Sequence, residues 1–334
     1  MICVKCGANV PPAAFCLSCG WKQSKNVEPL KDLTLQEVYT RWSKQHYRRI
    51  AEKTKRGYQL SWKKLEPYYS YRFADLDIED YQQVVDSMKN QSYSLQHQFK
   101  TLVTQLCKWG IMYQIITINF GNYLYLSGKK GRPRNIFSDE QIKALIVYAE
   151  NKGNLYWNDA RIVLAMIFTG YRPQEFFSIL KEEIDIKQKY ILTKGSKTEA
   201  GRNRVVPISN IIYKYILEWY LRTAPGDTLI KTLKGCPMTL RNWSRRHFYP
   251  LMSELQINDF YWRDIQDYEP NVVPYSCRHT FASLCYRAKM RPEIITKIIG
   301  HTDFNFTNRT YIHQQLPEYE EEICKMDQLV NEFL

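Results

Sequence analysis

Apolar and aromatic residues recur at helical spacing through the early part of the chain. Leu35, Val38, Tyr39 and Trp42 form one stripe, and Phe99, Leu102, Val103, Leu106 and Trp109 another. The segment from about Leu33 to Tyr125 is therefore expected to be mostly helical. The pattern breaks in Ser127-Gly128-Lys129-Lys130-Gly131-Arg132-Pro133-Arg134-Asn135, where glycine, proline and cations suit an extended basic linker. Helical spacing resumes after Ser138, a good N-cap, with Ile142, Leu145, Ile146 and Tyr148. The unbroken run Ile162-Val163-Leu164-Ala165-Met166-Ile167-Phe168 reads as a buried helix that Thr169-Gly170 ends, and Pro173 suits the first turn of the next. Two β-rich runs, Tyr190 to Lys194 and Arg202 to Ile208, flank a polar, glycine-containing tip and predict a hairpin. Further on, Pro274 and Ser276 suit a helix start with Phe281, Leu284 and Cys285 buried, and Pro292 to Ile299 suits a helix ended by Gly300. Leu316, Tyr319, Ile323, Met326, Leu329 and Phe333 mark a tail helix that would cover either its own domain or a neighbour.

Residues 1–27 lack the apolar mass to fold unaided. They hold four of the nine cysteines, Cys3, Cys6, Cys16 and Cys19, in a C-x2-C-x9-C-x2-C array with Gly7 and Gly20 after the two pairs. A two-residue gap lets both thiolates of a pair face one ion, and glycine lets the chain turn beneath it, so the array suits tetrahedral zinc. Disulfides or loose thiols are the alternative. The array resembles a zinc ribbon, with the zinc structural. The expected architecture is multidomain: a small N-terminal zinc ribbon over 1–27, an α-helical domain over 28–127, a basic linker over 128–136, and a mainly α domain with a small antiparallel β-sheet over 137–334.

Composition narrows the partner. The 334 residues carry a formal charge of +13, which favours a polyanion, because neutralising phosphates releases condensed counterions. Arg41, Lys44, Arg48, Arg49, Lys53, Lys55, Arg56, Lys63 and Lys64 crowd the first helical region, interleaved with aromatics and broken only by Glu52. That run is either a solvated face or a phosphate-contacting one, and the second reading is preferred. No segment reaches the roughly 18 apolar residues of a membrane span, and Met1-Ile2-Cys3 opens without an apolar signal core. A cytoplasmic location with reduced thiols is expected, with zinc on the regularly spaced cysteines and free buried thiols elsewhere.

Four residues carry candidate chemistry. Arg172 lies in Thr169-Gly170-Tyr171-Arg172-Pro173-Gln174-Glu175, at an expected helix N-terminus whose free N–H groups favour an anion; Glu175, one turn on, is placed to orient it. Arg278 lies in Tyr275-Ser276-Cys277-Arg278-His279-Thr280, and His301 precedes Tyr311 by ten positions. Two fixed cations, a histidine and a late tyrosine are what attack on a phosphodiester without a metal requires, the phenol oxygen being the nucleophile. In the hairpin, Lys197 near the tip and Lys194 at the strand end could each reach a leaving oxygen or simply contact phosphate; Lys197 is preferred.

Together Arg172 in T-G-Y-R-P-Q-E, Lys197 in S-K-T, Arg278 in R-H-T-F-A-S, Gly300-His301 and Tyr311 resemble the motif series of the tyrosine recombinases, or phage integrase family, over about residues 33–334. The resemblance implies an α-helical core-binding domain followed by a catalytic domain. It implies a site-specific recombinase that cleaves double-stranded DNA attachment sites through a 3′-phosphotyrosine, with no metal or ATP in catalysis. Four protomers would act on two sites through a Holliday junction, with accessory or excision factors possible partners. In relatives the tail helix often docks on a neighbouring protomer, which favours exchange here. An N-terminal zinc ribbon is similar to those on some integrases of phages and integrative elements, implying a mobile-element origin.

In that scheme Arg172 and Arg278 supply permanently charged, planar donors to the phosphoryl oxygens. His301 adds a third donor, His279 supports or accepts a proton, and Lys197 is the general acid for the leaving 5′ oxygen. One position departs from the family: members usually carry histidine three residues before the second arginine, where this chain has Tyr275. A phenol donates a hydrogen bond but carries no positive charge near neutral pH. The competing expectations are a type IB topoisomerase-like enzyme that only relaxes DNA, a non-catalytic DNA-binding regulator of excision, and a zinc-ribbon protein that binds RNA.

Overall fold

The computed structural model describes residues 30–129, 135–193, 204–258, 270–300 and 312–334, with the backbone alone for 312–315. The chain divides into two compact units, Met1–Arg132 and Pro133–Leu334.

In the first unit, α1 (Leu35–His46), α2 (Glu52–Trp62), α3 (Ile78–Ser87) and α4 (Tyr93–Met112) are joined by short turns, several of them 3-10 helical. Three of these starts, those of α1, α3 and α4, carry a side-chain cap. Thr34 and Glu37 form a reciprocal capping box at α1, with Thr34 N–H on the Glu37 carboxylate at 2.8 Å, and Asp77 does the same with Asp80 at α3. Phe99, Leu102, Val103 and Leu106 of α4 are fully buried against Leu35, Val38 and Trp42 of α1, each contributing about 1.5–3 kcal/mol by leaving water. Tyr39 of the predicted stripe is only half-buried and instead stacks on Trp62, which stacks on Tyr69, at 3.9 and 4.2 Å. Lys44, Arg48, Arg49, Lys53, Arg56 and Lys63 are exposed, so the apolar members of this region turn inward and leave a cationic surface.

The second unit begins with α5 (Asp139–Glu150), capped by Ser138 as expected, then α6 (Trp157–Thr169) and α7 (Pro173–Phe176). Strands β1 (Ile184–Asp185), β2 (Tyr190–Thr193) and β3 (Arg204–Pro207) form, among the described residues, one antiparallel sheet in the order β1-β2-β3. Ile191 faces Val206 and Thr193 faces Arg204 in its register. The hairpin is the expected one; its tip lies outside the described residues. β1 was not foreseen, because two residues carry no alternation to read. There follow α8 (Asn210–Arg222), α9 (Leu240–Trp243), a π-helical turn over Ser244–Phe248, α10 (Tyr249–Glu254), α11 (Ser276–Arg287), α12 (Pro292–Ile299) and α13 (Ile312–Phe333).

α6 is the core of this unit, buried from Ala160 to Thr169 and packed by α5, α8 and α11. Its one buried cation, Arg161, lies between the Trp157 and Tyr215 rings and donates to Ala149 O and Glu218. α13 packs on its own unit: Leu316, Tyr319, Ile323, Met326 and Val330 are buried, with Leu329 and Phe333 only partly so. Its Asp327 accepts the Asn210 N–H at 2.9 Å and the Ser209 hydroxyl, capping α8. Its Glu322 accepts the Arg291 N–H at 2.7 Å at the start of α12. Within the single chain the tail covers its own domain, one of the two surfaces its apolar stripe allows. The described cysteines are free, and Cys107, Cys277 and Cys285 are buried as expected. Cys236, in a surface turn, is exposed and Cys324 only half-buried, which corrects the expectation of burial throughout.

Candidate active site

The site grows from two helix ends. Gly170 ends α6 in the left-handed region, φ 64°, its N–H donating to Met166 O at 3.2 Å. A Cβ there would lie 2.4 Å from Cδ1 of Phe281 on α11, so both backbone and packing demand glycine. Gly300 ends α12 in the same way, φ 72°, with its N–H on Thr296 O at 2.9 Å. These turns point carbonyls at arginines. Buried Arg278 donates from Nη1 to Gly170 O at 2.9 Å and from Nη2 to Ile299 O at 2.8 Å. Arg172, just beyond Gly170, donates from Nη2 to Gly300 O at 3.4 Å and from Nη1 to Glu175 Oε1 at 3.0 Å. Three segments distant in sequence are thereby tied together by two guanidinia.

A third guanidinium supports them. Arg204 enters from β3, its side chain 3% exposed, and pairs with Glu175 Oε2 at 2.8 Å. It lies over the Tyr171 ring at 4.8 Å, and the Tyr171 hydroxyl bonds that of Thr193, its strand partner. Burial alone would raise the Glu175 carboxyl, but Arg204 and Arg172 outweigh it and hold the group below its ordinary value. Burial, then the charges of Arg172 and Arg204, pull the Arg278 guanidinium down to about 10, so it is charged at neutral pH and its charge is made more favourable by any anion that arrives. Sequence reading missed Arg204; the available signal was a lone cation beside Val205-Val206-Pro207 in a short strand otherwise apolar enough to be buried.

The expected helix-terminus contribution at Arg172 is reduced. α7 is a single turn of four residues, and the Glu175 and Phe176 N–H groups are already satisfied by Arg172 O at 2.8 and 3.0 Å. The positive field here comes from guanidinia and little from a helix dipole. Tyr275 occupies the N-cap of α11, half-buried, close enough to act electrostatically on Arg278, with its ring 5.8 Å from that of exposed His279. Lys194, Lys197, His301 and Tyr311 lie outside the described residues, as do Cys3, Cys6, Cys16 and Cys19. Among the described residues no cluster of histidine, cysteine and carboxylate could hold a metal, and no helix is long and apolar enough to cross a membrane.

A helical unit with a small antiparallel sheet, gathering guanidinia at two helix ends, defines an anion-handling class of site. The chain belongs to the phage integrase family: the family's profile matches residues 135–317, more than half of its length and all of the site just described. The tyrosine recombinase XerH of Campylobacter jejuni is 29% identical over 209 residues, covering 60% of this chain and 54% of that protein. The tyrosine recombinase XerD of Ralstonia nicotianae is 22% identical over 250 residues, covering 72% of this chain and 74% of that protein. The chain spans about half the length of the Campylobacter protein and of the Vibrio vulnificus XerD proteins that it also matches. In fold it is similar to the integrase of the Tn1549 transposon solved with a circular intermediate DNA, at a TM-score of 0.67 and 16% identity, covering 86% of this chain and 99% of that one. It is likewise similar to a lambda integrase dimer bound to a core site, at a TM-score of 0.63 and 15% identity, covering 87% of this chain and 96% of that one.

Proposed function

We propose that this chain is a site-specific DNA recombinase of the integrase type, which integrates or excises a mobile element by cleaving and rejoining DNA through a 3′-phosphotyrosine. The observation that carries the proposal is the double tether of Arg278 to Gly170 O and Ile299 O, with Arg172 on Gly300 O. It ties the two guanidinia to Ile299 and Gly300, the two residues that immediately precede His301 in the sequence. Family membership supports the same reading.

In the proposed reaction a phosphodiester sits against Arg172 and Arg278, whose fixed donors stabilise the charge that grows on its non-bridging oxygens. The Tyr311 oxygen attacks phosphorus, passing its proton to His279, and the bond from phosphorus to the 5′ oxygen breaks. Lys197 gives that oxygen its proton, and His301 donates to a non-bridging oxygen. Attack by the 5′ hydroxyl of another strand reverses the sequence, so joining consumes no ATP. Tyr275 donates a hydrogen bond where relatives carry histidine.

We assign residues 28–127 as the core-binding domain, 128–136 as the linker and 137–334 as the catalytic domain. The exposed cations of the first unit follow the DNA backbone. The soft thiolates of Cys3, Cys6, Cys16 and Cys19 hold one structural zinc in the segment 1–27. A lambda integrase tetramer has been solved on a Holliday junction, and we extend that four-protomer assembly on double-stranded attachment sites to this chain, with accessory factors setting direction. The enzyme works in the cytoplasm. A nicked suicide substrate carrying the element's end is expected to trap a covalent protein–DNA complex with the full chain. If Tyr311→Phe still forms it, the nucleophile is misassigned; relaxation of plasmids without strand exchange would favour a topoisomerase instead.

A further inference from the structure

We infer that Arg204 is a positioning residue for this reaction, holding the Arg172 guanidinium at the phosphate through their shared carboxylate, Glu175; the inference rests on the recombinase reading. The two oxygens of Glu175 are divided between the two arginines, Oε1 to Arg172 at 3.0 Å and Oε2 to Arg204 at 2.8 Å. The partners are unequal. Arg204 is buried on a strand, stacked on Tyr171, whose hydroxyl is fixed by Thr193. Arg172 is 27% exposed at the end of a single-turn helix. The rigid member is thus Arg204, and the member facing outward is Arg172. A buried carboxylate with a lone cationic partner tends to draw that partner onto itself or to take up a proton. With Arg204 occupying Oε2, Glu175 stays ionised and offers Arg172 one oxygen, leaving further guanidinium donors for the phosphate. Tight placement of such donors is what separates a working phosphoryl site from a loose one.

The test uses the full chain and the nicked suicide substrate. Arg204→Met is expected to lower the single-turnover cleavage rate about 100-fold, the loss typical of one misplaced oxyanion donor, while DNA affinity in gel shift stays within about threefold. Arg204→Lys restores charge without the planar fork and is expected between the two. The Arg172→Ala/Arg204→Met double variant is expected to cleave no more slowly than Arg172→Ala, because Arg204 acts only through Arg172. In ¹⁵N-arginine-labelled protein, Arg204→Met shifts the Arg172 side-chain resonance and leaves that of Arg287, held by Asp139, in place. Cleavage by Arg204→Met at the wild-type rate, or a fully additive loss in the double variant, overturns the inference. Should Arg204→Met fail to fold, Glu175→Gln breaks the same bridge, and a wild-type rate there is equally fatal. If the wild-type chain forms no covalent complex, the recombinase reading falls, and an unchanged Arg172 resonance in Arg204→Met or Glu175→Gln then overturns the positioning role on its own.

Discussion

Substituting Gly170 by alanine strikes the fold and the site together, and the structure sets the size of each effect. Alanine at φ 64° costs about 1–2 kcal/mol for the left-handed backbone. Its Cβ would fall 2.4 Å from Phe281 Cδ1, and forcing a methyl into a packed core adds about 1–3 kcal/mol. The sum is about 2–5 kcal/mol; at about 2–4 °C for each kcal/mol in a unit of this size, the melting temperature should fall by about 4–20 °C. Gly226 is the control: its φ is 84° but no atom lies within 4 Å of its Cβ position, so Gly226→Ala carries the backbone cost alone. Scanning calorimetry of the full chain, following the transition of the second unit, compares the two. Because Gly170 O also accepts from Arg278, Gly170→Ala should lower cleavage per folded molecule at least tenfold, about 1.4 kcal/mol, and Gly226→Ala should leave it unchanged. Equal melting temperatures for the two variants, or full cleavage by Gly170→Ala, would refute the packing argument.

Further outcomes follow from other parts of the chain. Restoring histidine with Tyr275→His should change the single-turnover cleavage rate only a few-fold, since a hydrogen-bond donor remains; complete loss would give the phenol a required role of its own. Metal analysis of the full chain should find about one zinc, lost when Cys3 and Cys6 become serine, and unchanged content in that variant removes the site. His247, whose hydrogen bond to Asp159 raises its proton affinity above the ordinary value, should titrate by NMR above 6.5 and return towards it in Asp159→Asn. The sign follows from the raised folded value: the stabilisation is complete below the unfolded pKa of about 6.5 and is lost as pH rises through the folded one. A folded value at or below 6.5 contradicts this.

Helices with caps and unambiguous stripes are readable in the sequence. Ser138, Phe99 to Trp109 and the glycine stops at Gly170 and Gly300 depend on local chemistry that the chain displays in order. What escaped depends on tertiary neighbours. β1 is two residues long, and its pairing is defined by β2. The Arg204–Glu175–Arg172 bridge spans a strand and a single-turn helix, and although the apolar run after Arg204 hints at its burial, nothing in the sequence names Glu175 as its partner. The docking of α13 was undecidable from periodicity, because an apolar stripe does not name the surface that covers it; the contacts of Glu322 with α12 and of Asp327 with α8 within the chain are visible only in three dimensions. The anion field at Arg172 was attributed to a helix end, whereas a one-turn helix leaves the work to guanidinia.

The central claim is a phosphotyrosine formed beside Arg172 and Arg278, and peptide mapping of the trapped complex tests it most directly. After nuclease and protease digestion, mass spectrometry should place a single nucleotide adduct on Tyr311, joined through a 3′ phosphate, and the adduct should vanish in Arg278→Ala. An adduct on a different residue, a 5′ linkage, or undiminished adduct in Arg278→Ala would contradict the account.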